Sequence, residues 1–496
     1  MIIYVDFIKK WSKPVFVSFA ILSVLVLIIW AIIKNWIFCD DAYYLCMVER
    51  ICEGYIPYKT LNLGYTPLYF YILAGFKILF HIPYGCYSAY LAFHFCIVLG
   101  CAYLIYAILK QINVNRMVAF FCAWLFIVMT HWILGNCVLL EIPSLFWGLL
   151  SCLLILKNNS NNLLTFIPIG IASCCSFLCK QFGAGFLFLN IFLIIFCNNS
   201  KGKFQQISCL AIGYLIPVAI CLLIWRESFL GVVFSGYGTQ TAADNGIDFT
   251  FDRRLLSIWK NMKWFFWRVN PMIVVSLFLL PIFVKQHKFS FFSFCWCAII
   301  GFSLQFFFVL SSIHYYLYIV PFGVLLIGIT LSLDYSSINH GKLIKTIVAC
   351  FTIITVLFSS YSTFYNRLYK EYIKKNSRAK QIENADIVKS LVSPDETIWI
   401  HGPFEIYYLT NRLPPNVSSI GYSFGTFGLD ERKAWEQVKN TDYVVRYTED
   451  FDYLLYFTPE IKQYIEQFPY VVIADSTIVI QDLRTQHDII YEQENI

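Results

Sequence analysis

Residues 14–44 read PVFVSFAILSVLVLIIWAIIKNWIFCDDAYY. The apolar run from Pro14 to Trp36 is long enough for a helix that crosses a bilayer, which needs about 20 residues. Lys9, Lys10 and Lys13 precede it, and no small-residue cleavage site follows. It therefore reads as a retained signal anchor with its N-terminus in the cytoplasm. Two carboxylates, Asp40 and Asp41, stand directly beyond its far end. Paired acids at a span end are expensive to bury and need a reason.

The rest of the chain repeats the pattern. Its 496 residues are 58% hydrophobic and 14% charged, against about 25% charged in an ordinary soluble protein. A soluble globule cannot hide that much apolar surface, so water-soluble enzymes, disordered tails and secreted disulfide scaffolds are excluded. Further spans fall near 87–109, 117–134, 142–156, 163–179, 183–198, 207–225, 269–284, 290–311, 315–333 and 343–363, about eleven in all. The 18 cysteines lie mostly inside these runs and read as small hydrophobes.

Charge divides the chain. Residues 1–363 carry 23 Lys/Arg and 11 Asp/Glu, whereas residues 364–496 carry 14 and 20. This predicts a transmembrane domain, 1–363, followed by a small water-facing domain, 364–496. The segment Gly64–Phe80 is apolar but short, with Pro67 and Lys77 inside it. Placed on the outer surface, it leaves Lys110, Arg116, Lys157, Lys201, Lys203, Lys285, Lys288, Lys342 and Lys345 in inner loops, with Asp334 as their one acid. That is the positive-inside pattern, and it explains the basic excess without nucleic acid. Two long outer loops result, 38–86 and 226–268, and the tail also lies outside. In the tail, 367–392, 431–439 and 458–467 look helical. Thr397–His401, Asp442–Tyr447 and two strands within Tyr470–Gln481, turning at Asp475–Ser476, look extended. This predicts a small α/β domain.

In this topology Asp40, Asp41, Glu141, Lys180 and His314 all reach the outer face. Asp40 and Asp41 read either as a solvated helix N-cap or as an acid/base or metal site; a carboxylate at a helix N-terminus stays ionised, which suits a base. Glu141 reads as an interface residue or a second acid. Lys180 either snorkels or neutralises a lipid phosphate, and His314 is an interfacial polar tip or a phosphate contact. Tyr55, Tyr58, Tyr65 and Tyr69 either stack on sugars or anchor at the interface. The acids are compatible with a shared divalent cation, but no ligand spacing demands one.

Three segments carry a family likeness. Asp40-Asp41-Ala42-Tyr43-Tyr44, Gly54-Tyr55-Ile56-Pro57-Tyr58 and Tyr65-Thr66-Pro67-Leu68-Tyr69 together resemble the first outer loop of GT-C glycosyltransferases. The likeness is to the group of dolichyl-phosphate-mannose protein mannosyltransferases and lipid A aminoarabinose transferases. Cys179-Lys180-Gln181-Phe182-Gly183 and His314-Tyr315-Tyr316…Pro321 are similar to later segments of that group, in the same order. The tail, with His401-Gly402-Pro403…Tyr407-Tyr408, also resembles theirs. The family often has Asp-Glu where this chain has Asp40-Asp41.

The resemblance implies a GT-C-like fold and an enzyme that takes a sugar from a polyprenyl-phosphate carrier on the extracytoplasmic face. The acceptor hydroxyl belongs to a protein, a glycolipid or a polysaccharide. By this likeness Asp40 is the base, Asp41 and Glu141 assist it, and Lys180 and His314 contact the donor phosphate, with Tyr58 and Tyr65 as substrate contacts. A glycosyl phosphate already carries its leaving group, so no nucleotide loop is needed, and neither GxGxxG nor a Walker pattern is present. Two carboxylates across a sugar predict inversion by single displacement. A bacterial inner membrane, with the site facing the periplasm, is the expected location. The rival class is a transporter or flippase of a lipid-linked sugar or small molecule, which usually shows paired half-repeats; none is detected.

Overall fold

The computed structural model describes residues 2–61, 63–158, 162–197, 202–234, 251–308, 313–336, 338–401, 403–412, 438–447, 463–473 and 478–484. The expected helices 431–439 and 458–467 lie largely outside these residues, and the turn at Asp475–Ser476 wholly so.

Helices dominate, as the absence of water in a bilayer requires: every backbone N–H and C=O must be met inside its own segment. The first nine are α1 (Ile2–Lys34), α2 (Cys39–Cys52), α3 (Leu68–Phe80), α4 (Tyr87–Gln111), α5 (Arg116–Trp132), α6 (Glu141–Lys157), α7 (Phe166–Cys179), α8 (Gly185–Phe192) and α9 (Lys203–Phe234). Among the described residues five stretches are long and apolar enough to cross a membrane: Lys13–Lys34, Tyr87–Gln111, Lys203–Gly231, Ile313–Leu331 and the one that begins at Gly341. Shorter apolar helices accompany them, including Arg116–Trp132, Leu163–Cys179, Gln181–Cys197 and Phe289–Ser303. These are the proportions of an integral membrane protein. Helix α3 has 13 residues, about 20 Å of rise against about 30 Å of hydrocarbon, and is too short to cross alone.

Several expected helices are interrupted, among them two at identifiable residues. The span at 269–284 appears as Met272–Phe278 and Leu280–Lys285. Pro281 lacks an N–H and sits in the first turn of the second piece, where its ring is tolerated. The stretch 367–392 breaks at Asn376, whose φ of +49° is left-handed, a conformation Asn adopts more readily than most residues. Upstream of it a π-helical segment, Tyr361–Lys374, continues the helix Gly341–Ser360; downstream lies Ser377–Leu391.

The chain forms two compact units. The first comprises Met1–Asn35, Ser88–Ile224 and Thr250–Lys375; the second comprises Trp36–Tyr87, Trp225–Phe249 and Asn376–Ile496. By packing, therefore, residues 36–87 group with the C-terminal segment.

In the first unit α6 and α7 pack against each other, and α7 meets α9 in backbone contact. A Cβ on Gly170 would come within 2.1 Å of the Leu210 carbonyl oxygen, and one on Gly213 within 2.1 Å of that of Ile167. Small residues permit this approach where lipid supplies no hydrophobic drive to associate.

The second unit holds a four-stranded sheet of β1 (Ile398–His401), β2 (Tyr443–Tyr447), β3 (Tyr470–Ile473) and β4 (Ile478–Asp482), in the order β1-β2-β4-β3. β1 and β2 are parallel, with Ile400 opposite Val445; β4 runs antiparallel to both β2 and β3. Ile398, Trp399 and Ile400 are all buried, as are Val444 and Val445, so these strands are covered on both faces. The strands expected at 397–401, 442–447 and 470–481 are present within a residue or two.

Replacing Gly170 or Gly213 by Val should destabilise the protein by about 1–3 kcal/mol through overpacking. A lowered thermal midpoint in detergent, with Gly231→Val as the open-space control, measures it.

Candidate functional site

In the first unit, α6 and α7 bring opposite charges together at one end. Glu141 is the first residue of α6, and Lys180 directly follows the last residue of α7. A helix N-terminus favours an anion and a C-terminus a cation, so the two dipoles and the two side chains agree. Lys180 Nζ lies 3.0 Å from Glu141 Oε1, with side chains 2% and 0% exposed. His314 Nε2 stands 3.8 Å from the same oxygen. The Lys180 ammonium also lies 5.6 Å from the centre of the Tyr315 ring, a cation–π distance. Glu141 Oε2 is buried with no hydrogen-bond partner among the described residues.

Hydroxyls brace this end of the helix pair. Ser144 Oγ donates to the Ser176 carbonyl at 2.9 Å, and Ser176 Oγ donates to that of Ser144 at 2.7 Å. Tyr318 Oη donates to Ser144 Oγ at 2.8 Å, joining the His314 segment to the pair. Gly183 closes the turn after Lys180: a Cβ there would meet the Ser176 carbonyl oxygen at 2.3 Å. The loop before Glu141 is buried from Ile133 to Leu140. Asn136 holds it, donating to Asn35 Oδ1 at 3.1 Å and to the Tyr372 hydroxyl at 2.5 Å. Asn35 Nδ2 returns a bond to the Asn136 carbonyl at 3.2 Å.

The second unit holds the paired acids in the first turn of α2. Asp41 is fully buried and its Oδ2 accepts from Tyr87 Oη at 2.5 Å. Asp40 keeps 9% of its surface. Burial, seconded by the Asp40 charge, pushes the Tyr43 phenol upward against a Gly64 backbone hydrogen bond, so Tyr43 stays protonated beside the pair. Glu49 and Lys77 join α2 to α3 at 2.7 Å.

The two tyrosines expected to touch substrate are tied into the loop itself. Tyr58, at a left-handed φ of +65°, donates its hydroxyl to the Tyr65 carbonyl at 2.5 Å and meets the Trp225 ring edge-on at 5.5 Å. Tyr65 is buried, edge-on to Tyr44 at 5.3 Å.

Of the residues singled out from sequence, Glu141, Lys180 and His314 therefore form one cluster. Asp40 and Asp41 form another, in the other unit. Ser144, Ser176, Tyr318 and Tyr87 were not anticipated. A hydroxyl inside an apolar run carries no sequence signal until its partner helix is placed. Among the described residues no three His, Cys, Asp or Glu side chains group as metal ligands. At Glu141 the nearest partner is an ammonium, which does not suit a bound cation.

No family model matches the chain, and no curated protein does. Solved structures do match in fold. The lipid A aminoarabinose transferase ArnT from Cupriavidus metallidurans, in the apo state, superposes with a TM-score of 0.55 at 11% identity, over 95% of this chain and 98% of that one. The same protein bound to undecaprenyl phosphate gives 0.53 at 11% identity, over 94% and 97%. The archaeal oligosaccharyltransferase AglB from Archaeoglobus fulgidus, in complex with an inhibitory peptide and a dolichol-phosphate, gives 0.52 at 12% identity, over 97% and 75%. The fold is thus the one these GT-C proteins share, as the sequence resemblance implied.

Removing one partner of a buried ion pair costs about 3–5 kcal/mol, because the other charge is left uncompensated. Lys180→Met should therefore lower the thermal midpoint more than the double variant Glu141→Gln/Lys180→Met. Equal losses would mean that the pair is not coupled.

Proposed function

We propose that this chain is an integral-membrane glycosyltransferase that moves a sugar from a polyprenyl-phosphate carrier to an acceptor hydroxyl on the extracytoplasmic face. The observation that carries this reading is the correspondence of fold with ArnT over nearly the whole of both chains. The close approach of Glu141, Lys180 and His314 in one unit supports it further.

In this proposal Asp40 is the base. It stands at a helix N-terminus, which favours its ionised form, and it keeps some exposure. It takes the proton of the acceptor hydroxyl as the acceptor oxygen bonds to the anomeric carbon. The bond from that carbon to the phosphate oxygen breaks, and its electron pair leaves with the phosphate. The products are a glycoside of inverted configuration and polyprenyl phosphate, with the proton on Asp40. Within the first unit, Lys180 and His314 are the groups suited to meeting a phosphate. An entering phosphate competes with Glu141 Oε1 for the Lys180 ammonium. Glu141 Oε2 is then the acceptor open to a sugar hydroxyl. Positive groups near the departing phosphate act where charge develops.

The expected outcome in detergent, with labelled polyprenyl-phosphate sugars, is loss of the donor, release of polyprenyl phosphate and an inverted product. Loss of a general base lowers rate by about 10²–10⁴-fold, so Asp40→Asn should fall in that range while remaining folded. Retained configuration would overturn the single displacement. Wild type that binds no lipid carrier would shift the reading to a transporter.

A further inference from the structure

Two adjacent acids on a helix point about 100° apart, so they do not face the same partner. We infer that Asp41 is a positioning residue, held through Tyr87 by the C-terminal segment, and that Asp40 alone is the reacting carboxylate. This rests on the glycosyl-transfer reading above and assigns the C-terminal segment a role in it.

Two attachments within the second unit carry the inference, and both come from the helix Ser377–Leu391. The first is at Gln381. Its Oε1 accepts from the Ile37 backbone N–H at 2.8 Å, and its Nε2 donates to the Ile37 carbonyl at 2.9 Å. A side-chain amide thereby binds the main chain as a neighbouring strand would, just before α2 begins. Ile37 is fully buried, so these bonds are shielded from water. The second attachment is at Arg378, one turn earlier on the same helix. Its guanidinium carbon lies 5.6 Å from the centre of the Tyr87 ring, and the Tyr87 hydroxyl donates to Asp41. A cation over the ring draws electron density from the phenol and strengthens its O–H as a donor.

A third contact fixes the floor. α2 rests on the short helix Glu405–Leu409. Tyr84 Oη donates to the Arg412 carbonyl at 2.6 Å, and the Tyr84 ring meets that of Tyr408 edge-on at 5.1 Å. Asp41 is buried beside Tyr87 with none of its surface exposed, while Asp40 retains 9%. From Tyr87, Asp41 accepts a hydrogen bond, and an amide oxygen accepts one too.

The experiment compares Asp40→Asn, Asp41→Asn, Asp41→Ala, Tyr87→Phe and Gln381→Ala in the full-length protein. Turnover and donor KM are measured, with hydrogen exchange at residues 37–44 alongside. Asp41→Asn keeps the acceptor and should lose no more than about tenfold, the worth of weakening one hydrogen bond. Asp41→Ala, Tyr87→Phe and Gln381→Ala should lower kcat with little change in donor KM. Gln381→Ala should also speed exchange at residues 37–44. Asp41→Asn as inactive as Asp40→Asn in a folded protein overturns the inference, because charge at position 41 is then required. So does an unchanged kcat in both Tyr87→Phe and Gln381→Ala. In either case an active wild type leaves the glycosyl-transfer reading standing. A wild type inactive with every lipid-linked donor it binds overturns both.

Discussion

A polar group buried in this protein must find its partner within the protein, because lipid supplies none. The Glu141–Lys180 pair is the sharpest instance. It holds an acid and a base, both nearly free of solvent, at the meeting point of two antiparallel helices. The dipoles of α6 and α7 favour the arrangement, and the Ser144–Ser176 exchange of hydroxyl bonds keeps the helices in register beneath it. Gly183 allows the chain to turn tightly enough for Lys180 to reach back. Charge placement and helix packing are thus one solution to one constraint.

The same constraint explains why the buried loop Ile133–Leu140 is so heavily tied. Irregular backbone at this depth is tolerated only when other protein groups satisfy it. Asn35 meets the Asn136 carbonyl, and the Asn136 side chain anchors the loop to Asn35 and Tyr372. The loop ends at Glu141, so whatever fixes the loop also fixes where α6 begins.

Much of this was legible in the sequence. Apolar runs bounded by charge identified the helices, because the bilayer imposes a length that composition alone reveals. Short apolar runs identified the sheet: Ile398–Ile400 and Val444–Val445 read as strands before their pairing was known. Glu141, Lys180 and His314 were singled out one by one, each as an isolated polar residue among apolar neighbours. The topology brought them to one face, but which of them touch was not legible, since they are brought together by helix packing across more than 170 positions. The different surroundings of Asp40 and Asp41 were hidden for a related reason. Sequence treats neighbours alike, whereas a helix sends them in different directions. Nor did anything local mark Tyr87 or Gln381. One looks like a span-end tyrosine and the other like a surface glutamine, until residues 376–412 are folded beside the first loop.

That last juxtaposition has a consequence for biosynthesis. Ile37 and Gln381 are 344 positions apart, so the loop they close is among the most non-local in the chain. At ordinary elongation rates of about 5–20 residues per second, the acidic pair is made many seconds before its clamp leaves the ribosome. Throughout that interval α2 exists without the contacts that orient it. The first turn of α2 is therefore made long before the helix that clamps Ile37 ahead of it. A product truncated before residue 376 retains Asp40 and Asp41 but lacks the two Gln381 bonds that hold Ile37.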